Sequence, residues 1–189
     1  MSLRLSLHNG CRMKSVMEKL QWFDRVFNFG ASKGMLPFYL ERLHGTIVRI
    51  EKKVQGVSEE VLSARLDNKW SVKENIGHLA EVDEIAHKRI SEMISGISPM
   101  SPAVFEPKPF YEWPISTVIE YFRDNRLRNI NRYALLTPDE LEKSSEHPRL
   151  KMRMTPVDLA LFDAEHDDHH LVRVNEIISV LSSSRSIQD

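Results

Sequence analysis

Apolar residues recur at helical spacing in four long stretches of the chain. From Leu36 to Gln55 they fall at Leu36, Leu40, Leu43, Ile47, Ile50 and Val54, the three-and-four alternation of a helix that buries one face. Gly56 is a natural stop, and Ser58-Glu-Glu-Val61 reads as a capped short helix. Ser71 and Glu74 form an S-x-x-E capping box, which opens a second long helix. Its stripe is Val72, Ile76, Leu79, Ala86, Ile90 and Met93, and it runs to about Ser95, where Gly96 closes it. A third helix spans roughly Ser116 to Leu136, with Val118, Ile119, Phe122, Leu127, Ile130 and Tyr133 apolar. The last opens at Thr155-Pro156-Val157-Asp158, a good N-cap, a proline suited to the first helical position and an acid suited to the dipole. It frays into the serine-rich segment 182–189. Short satellites are predicted at Leu20–Phe27, docking Trp22, Phe23 and Phe27, and after the Thr137-Pro138 cap. Strand signals are absent. The pattern predicts an all-α fold, a four-helix bundle with short satellite helices.

Residues 97–115 interrupt this rhythm, holding Pro99, Pro102, Pro107, Pro109 and Pro114, and no helix crosses such a run. A loop this long needs a reason. The simplest is a Pro-rich crossover along the bundle that lets the second and third helices lie parallel. Its aromatics, Phe105, Phe110, Tyr111 and Trp113, are either core cover or pocket wall. The resulting division is an N-terminal mobile arm over 1–19, a bundle over 20–182 and a flexible tail over 183–189.

Bulk composition narrows the function classes. A 189-residue chain with 41% hydrophobic residues can form one domain with a real core. Its 26 basic and 27 acidic residues nearly cancel, with no basic block, so phosphate-driven nucleic-acid binding has no electrostatic support. The single cysteine, Cys11, excludes an internal disulfide and fits a reducing cytosol. No apolar run approaches a membrane span, and residues 1–7 are too short and interrupted for an export signal. A cytoplasmic protein is expected.

Histidines carry the candidate chemistry. His166 and His170 are four apart on the last helix, so their rings leave one face a turn apart and can reach one ion. Two ligands seldom hold a catalytic metal, and His78, two turns into the second helix at the edge of its apolar stripe, is the third candidate. The bland alternative for each is a half-exposed helical histidine. Zinc, nickel and iron(II) all suit imidazole. Glu74 and Glu81, one turn either side of His78, either orient it and relay a proton or lie on a solvated face. Arg173 shares the face of the histidine pair, to bind a substrate carboxylate or pair with an acid of a neighbouring helix. Asp167 and Asp168 read as solvated, His44 as packing or surface, His169 as a bystander, and His87 as facing away from His78.

The runs Lys69-Trp-Ser-Val-Lys-Glu-Asn-Ile-Gly-His-Leu79, His147-Pro-Arg-Leu150 and Ala164-Glu-His-Asp-Asp-His-His-Leu-Val-Arg173 resemble the DinB-like superfamily of metal-binding four-helix bundles. The resemblance extends from about Leu20 to about Leu181. It implies one ligand on the second helix and an H-x-x-x-H pair on the fourth, which correspond here to His78, His166 and His170. His147 resembles a family position without a derivable role. The family also implies transfer of a low-molecular-weight thiol to a small electrophile, or hydrolysis in some members, and homodimerisation. The competing expectation is a non-catalytic bundle in which a metal pins the second and fourth helices together.

Overall fold

The computed structural model of the protein describes residues 19–185. The expected N-terminal arm, with Cys11, lies almost wholly outside these residues. Five α-helices follow in order: α1 (Leu36–Val54), α2 (Glu59–Ser63), α3 (Val72–Ile94), α4 (Ile115–Ala134) and α5 (Pro156–Arg185). The capping box at α3 forms as expected, Ser71 accepting from the Glu74 amide and Glu74 accepting from the Ser71 amide. At its other end Gly96, with φ of +74°, turns the chain; the amides of Gly96 and Ile97 bond back to Met93 and Glu92, satisfying the last carbonyls. The final helix continues to Arg185, past the expected tail boundary at 183.

The long helices pack around a square in the order α1, α5, α3, α4. Two apolar clusters fix their directions. One joins the first halves of α1 and α5 (Leu43, Phe162) to the second halves of α3 and α4 (Ile90, Tyr133). The other joins the opposite halves, with Ile50, Ile76, Phe122 and Val174. Thus α1 and α5 are parallel neighbours, α3 and α4 are parallel neighbours, and the two pairs run against each other. Parallel neighbours need a connection as long as the helix, which is the role of the proline-rich segment 97–114. It is clamped onto α3 at Gly77, where an added Cβ would stand 2.4 Å from the Phe110 ring. Phe110 is buried core cover; Phe105 and Tyr111 are exposed in part.

The mid-level of the bundle is polar. Arg126 of α4 is 1% exposed; its Nε donates to Asp83 of α3 at 2.9 and 3.0 Å, and its two terminal nitrogens donate to Asp167 of α5. It also donates to the Leu43 carbonyl of α1. Asn129 donates to Asp83, and Thr46 donates to Asp167 at 2.6 Å. Burial works against the Arg126 charge, but Asp167 and Asp83 outweigh it and hold the guanidinium protonated. Two expectations are corrected here. Asp167 is a buried partner of Arg126 rather than a solvated residue. On α4, Leu127 is exposed while Asn125, Arg126 and Asn129 face inward, because the inner face of that helix carries the polar groups that meet the two aspartates.

Three smaller departures concern the satellites. The predicted helix at Leu20–Phe27 is a 3-10 turn at Trp22–Asp24 that buries Trp22 and leaves Phe23 exposed. The segment after Thr137 is likewise a 3-10 turn, Glu140–Glu142. Strands do occur: β1 (Ser145–Glu146) and β2 (Arg153–Met154) pair antiparallel. At two residues each they are too short for an alternating pattern to show in sequence. No helix among the described residues is long and apolar enough to cross a membrane.

Gly77→Ala pits a helix-propensity gain of about 1 kcal/mol against displacement of the buried Phe110 ring, and an overpacked core position costs about 1–3 kcal/mol. Urea denaturation should therefore show Gly77→Ala lowering stability in the native background, and raising it in a Phe110→Ala background where the ring is gone.

Candidate metal centre

Helices α3 and α5 bring the predicted histidines together. His78 from α3 and His166 and His170 from α5 present ring nitrogens that all lie within 4.8 Å of one another. The Nε2 atoms of His166 and His170 are 3.2 Å apart. Nitrogens held tetrahedrally at about 2.0–2.1 Å from a zinc-sized ion stand roughly 3.4 Å apart, so the spacing suits a shared cation. His170 is 7% exposed and His78 9%.

The protonation pattern can be read from the neighbours. Asn75, one turn before His78, donates its amide NH2 to the carbonyls of Ser71 and Trp70. Its Oδ1 therefore faces His170 as an acceptor, 2.8 Å from Nδ1. The proton of His170 must sit on Nδ1, leaving the Nε2 lone pair aimed at the centre. Burial, reinforced by the neighbouring histidines, pulls both His166 and His170 well below the ordinary imidazole range, so both rings are neutral and their lone pairs available, as ligation requires. The buried Nδ1 of His166 has no hydrogen-bond partner. Neutral nitrogen donors, a convergent geometry and an unassigned buried ring nitrogen together fit a divalent cation.

The acids flanking His78 take different places. Glu81 is buried; its Oε2 lies 3.9 Å from His78 Nδ1 and its Oε1 accepts from Lys108 at 3.1 Å. Burial opposes its charge, but His78 and Lys108 prevail and hold it below the usual carboxylate range. Glu74 is engaged by the capping box and by Arg65, and it does not line the cavity. Arg173 donates to the Leu66 carbonyl at 2.8 Å and pairs with Glu176 at 3.1 Å, tying α5 to the segment before α3. Outside the site, Asp168 is held by Arg42 and Arg49 of α1, His44 is exposed, and His87 faces Arg128 and Arg132.

Beside the histidines opens a cavity of about 640 Å³. It follows the groove between α3 and α5 and is walled by Trp22, Trp70, Phe105 and Phe162. Trp70 lies 4.7 Å from the His78 ring and Trp22 lies 4.9 Å from His166, centroid to centroid. His169 lines the wall rather than the ligand set. Two residues emerge that spacing alone did not mark. Asn75 had as its only signal a position one turn before a candidate ligand. His147 stands at the cavity's far end, held by the β-hairpin: its Nδ1 accepts from the amides of Arg149 and Leu150, so its Nε2 carries the proton. Burial first, then Arg89 and Arg149, pull its pKa down to about 4.

The profile of the DinB superfamily matches residues 42–172. A relative from Oceanobacillus iheyensis, named "Putative metal-dependent hydrolase OB0413", is 22% identical over 151 residues, covering 77% of this chain and 87% of its own length. The solved structure of YfiT from Bacillus subtilis, described as a probable metal-dependent hydrolase with an unusual four-helix bundle topology, superposes with a TM-score of 0.71. It shares 18% identity, with coverage of 84% of this chain and 94% of that one.

Because His147 is neutral in the fold, its contribution to stability is complete above its ordinary pKa of 6.5 and is lost as pH falls toward about 4. Proton NMR should follow its ring titrating near the lower value, and His147→Gln should flatten the fall in stability across that window in denaturation curves.

Proposed function

The chain belongs to the DinB superfamily, and from that premise we propose that it is a metal-dependent enzyme that transfers a low-molecular-weight thiol to a small, largely apolar electrophile. The observation that carries this reading is the convergence of three imidazoles at one end of an aromatic-walled cavity. Three neutral ligands leave coordination positions and net positive charge, the pattern of a catalytic rather than a closed structural site. A zinc, nickel or iron(II) ion bound there would lower the pKa of a thiol or water beside it, supplying a nucleophile at neutral pH.

The chain's own residues supply the rest. Asn75 fixes the His170 tautomer, and the Glu81 carboxylate stands 3.9 Å from His78 Nδ1, near enough to orient that ring electrostatically. Lys108 neutralises Glu81. Trp22, Trp70 and Phe105 wall the reacting end and offer flat apolar surfaces to an electrophile. Glu74 and Arg173 act at a distance in this reading, Glu74 by capping the helix that bears His78 and Arg173 by anchoring the middle of α5 to the segment before α3. The relatives described as metal-dependent hydrolases favour a second reading on the same site, with water in place of the thiol.

Elemental analysis of protein purified without a metal-affinity tag should find about one divalent ion per chain. His78→Ala should abolish that occupancy, and Asn75→Ala should weaken affinity about 10–100-fold in a competition titration with a chromogenic chelator. Chromogenic electrophiles and esters, each tried with and without added thiols, then separate transfer from hydrolysis. A protein that unfolds on metal removal and turns over neither class would be a bundle pinned by its metal, and the enzyme reading would fail.

A further inference from the structure

The cavity has a second polar end. Arg89 lies three helical turns beyond His78 on the same face of α3, about 16 Å along the axis. It lines the cavity and is only 7% exposed, yet its Nε has no hydrogen-bond partner. The acids that face it are committed elsewhere. Glu92 accepts from the Ser101 amide at 2.9 Å and lies 3.7 Å from Lys88. Asp163 accepts from Tyr133 at 3.4 Å, and burial first, then Asp83, pushes its carboxyl well above the usual range. A buried guanidinium without a paired anion is costly to the fold.

Two more donors converge on the same end. His147 turns its protonated Nε2 away from the hairpin amides that occupy Nδ1. Arg149, exposed at the rim, stacks its guanidinium 3.4 Å from the Phe23 ring centroid. Val82, Ile85 and Ala86 of α3 make the floor between this end and the histidines.

We infer that Arg89, Arg149 and His147 form a subsite for a single carboxylate, so that the substrate is a small amphipathic acid lying lengthwise between this subsite and the three histidines. A planar carboxylate matches the guanidinium fork. One negative charge balances Arg89, a buried cation with no ion-pair partner among the described residues. The identity of the reacting end rests on the enzyme reading above; the carboxylate subsite itself does not.

Octanoate and octanol are suitable probes, their binding followed by the fluorescence of Trp22 and Trp70 and by calorimetry on the full chain as purified. Hydrogen bonds to a charged group predict octanoate binding at least about tenfold tighter than octanol. Arg89→Met should erase that preference while leaving octanol affinity unchanged, and should fold at least as stably, since removing a buried unpaired charge relieves the fold. Arg149→Ala, at the rim, should weaken octanoate about threefold; if Arg89→Met does not fold, no change in Arg149→Ala overturns the inference. So does an octanoate preference that survives Arg89→Met, or one that disappears in His78→Ala, which would place the carboxylate at the histidines. A wild-type protein that binds no metal but keeps the preference would sink the enzyme reading alone and leave the subsite standing.

Discussion

Arg126 is the point about which the bundle is set. Its guanidinium holds Asp83 of α3, Asp167 of α5 and the Leu43 carbonyl of α1 at once, so one side chain of α4 touches every other long helix. Such a buried network gains little over a well-packed apolar replacement, but any slip of register leaves a charge without a partner in a medium that tolerates none. It therefore acts on alignment more than on total stability. Asp167 directly follows His166 in sequence. Turning Asp167 toward Arg126 rotates His166 and His170 toward α3 and the cavity, and the site inherits its aim from the ionic knot behind it.

The unusual helix order has a functional consequence. With α1 and α5 parallel and α3 and α4 parallel, the chain must cross the length of the bundle between α3 and α4. That crossover brings Phe105, Ala103 and Pro102 over the groove between α3 and α5. The segment around Trp22 and the small hairpin at His147 close other sides. An up-and-down bundle with short loops would leave that groove bare or fill it with core. Here the three histidines stand on long helices that cannot move independently, while Trp22, Trp70 and Phe105 reach the groove from loops and a short turn.

Charge is distributed along the groove in the same economical way. Imidazoles gather at one end, where burial keeps His166 and His170 unprotonated; arginines gather at the other, where Arg89 is buried with its Nε unpartnered. Apolar side chains separate the two. Burial, reinforced by the arginines, holds His147 neutral.

The sequence by itself determined the helices, their caps and stops, and the identity of the three converging histidines. Each depends on local chemistry: Ser71 and Glu74 cap their own helix, Gly96 turns at its own φ, and residues four apart share a face whatever surrounds them. The crossover was legible for a similar reason, since prolines forbid a helix locally. Only the tertiary structure decided what each polar residue meets. Asp167 reads as solvated beside Asp168, and Leu127 reads as core, because periodicity assumes an apolar interior and this bundle has a polar level in its middle. The roles of Asn75, His147 and Arg89 were not legible for the complementary reason: a hydrogen-bond partner, a hairpin of two-residue strands and an unpaired buried charge are relations between distant segments, and no spacing along the chain encodes them.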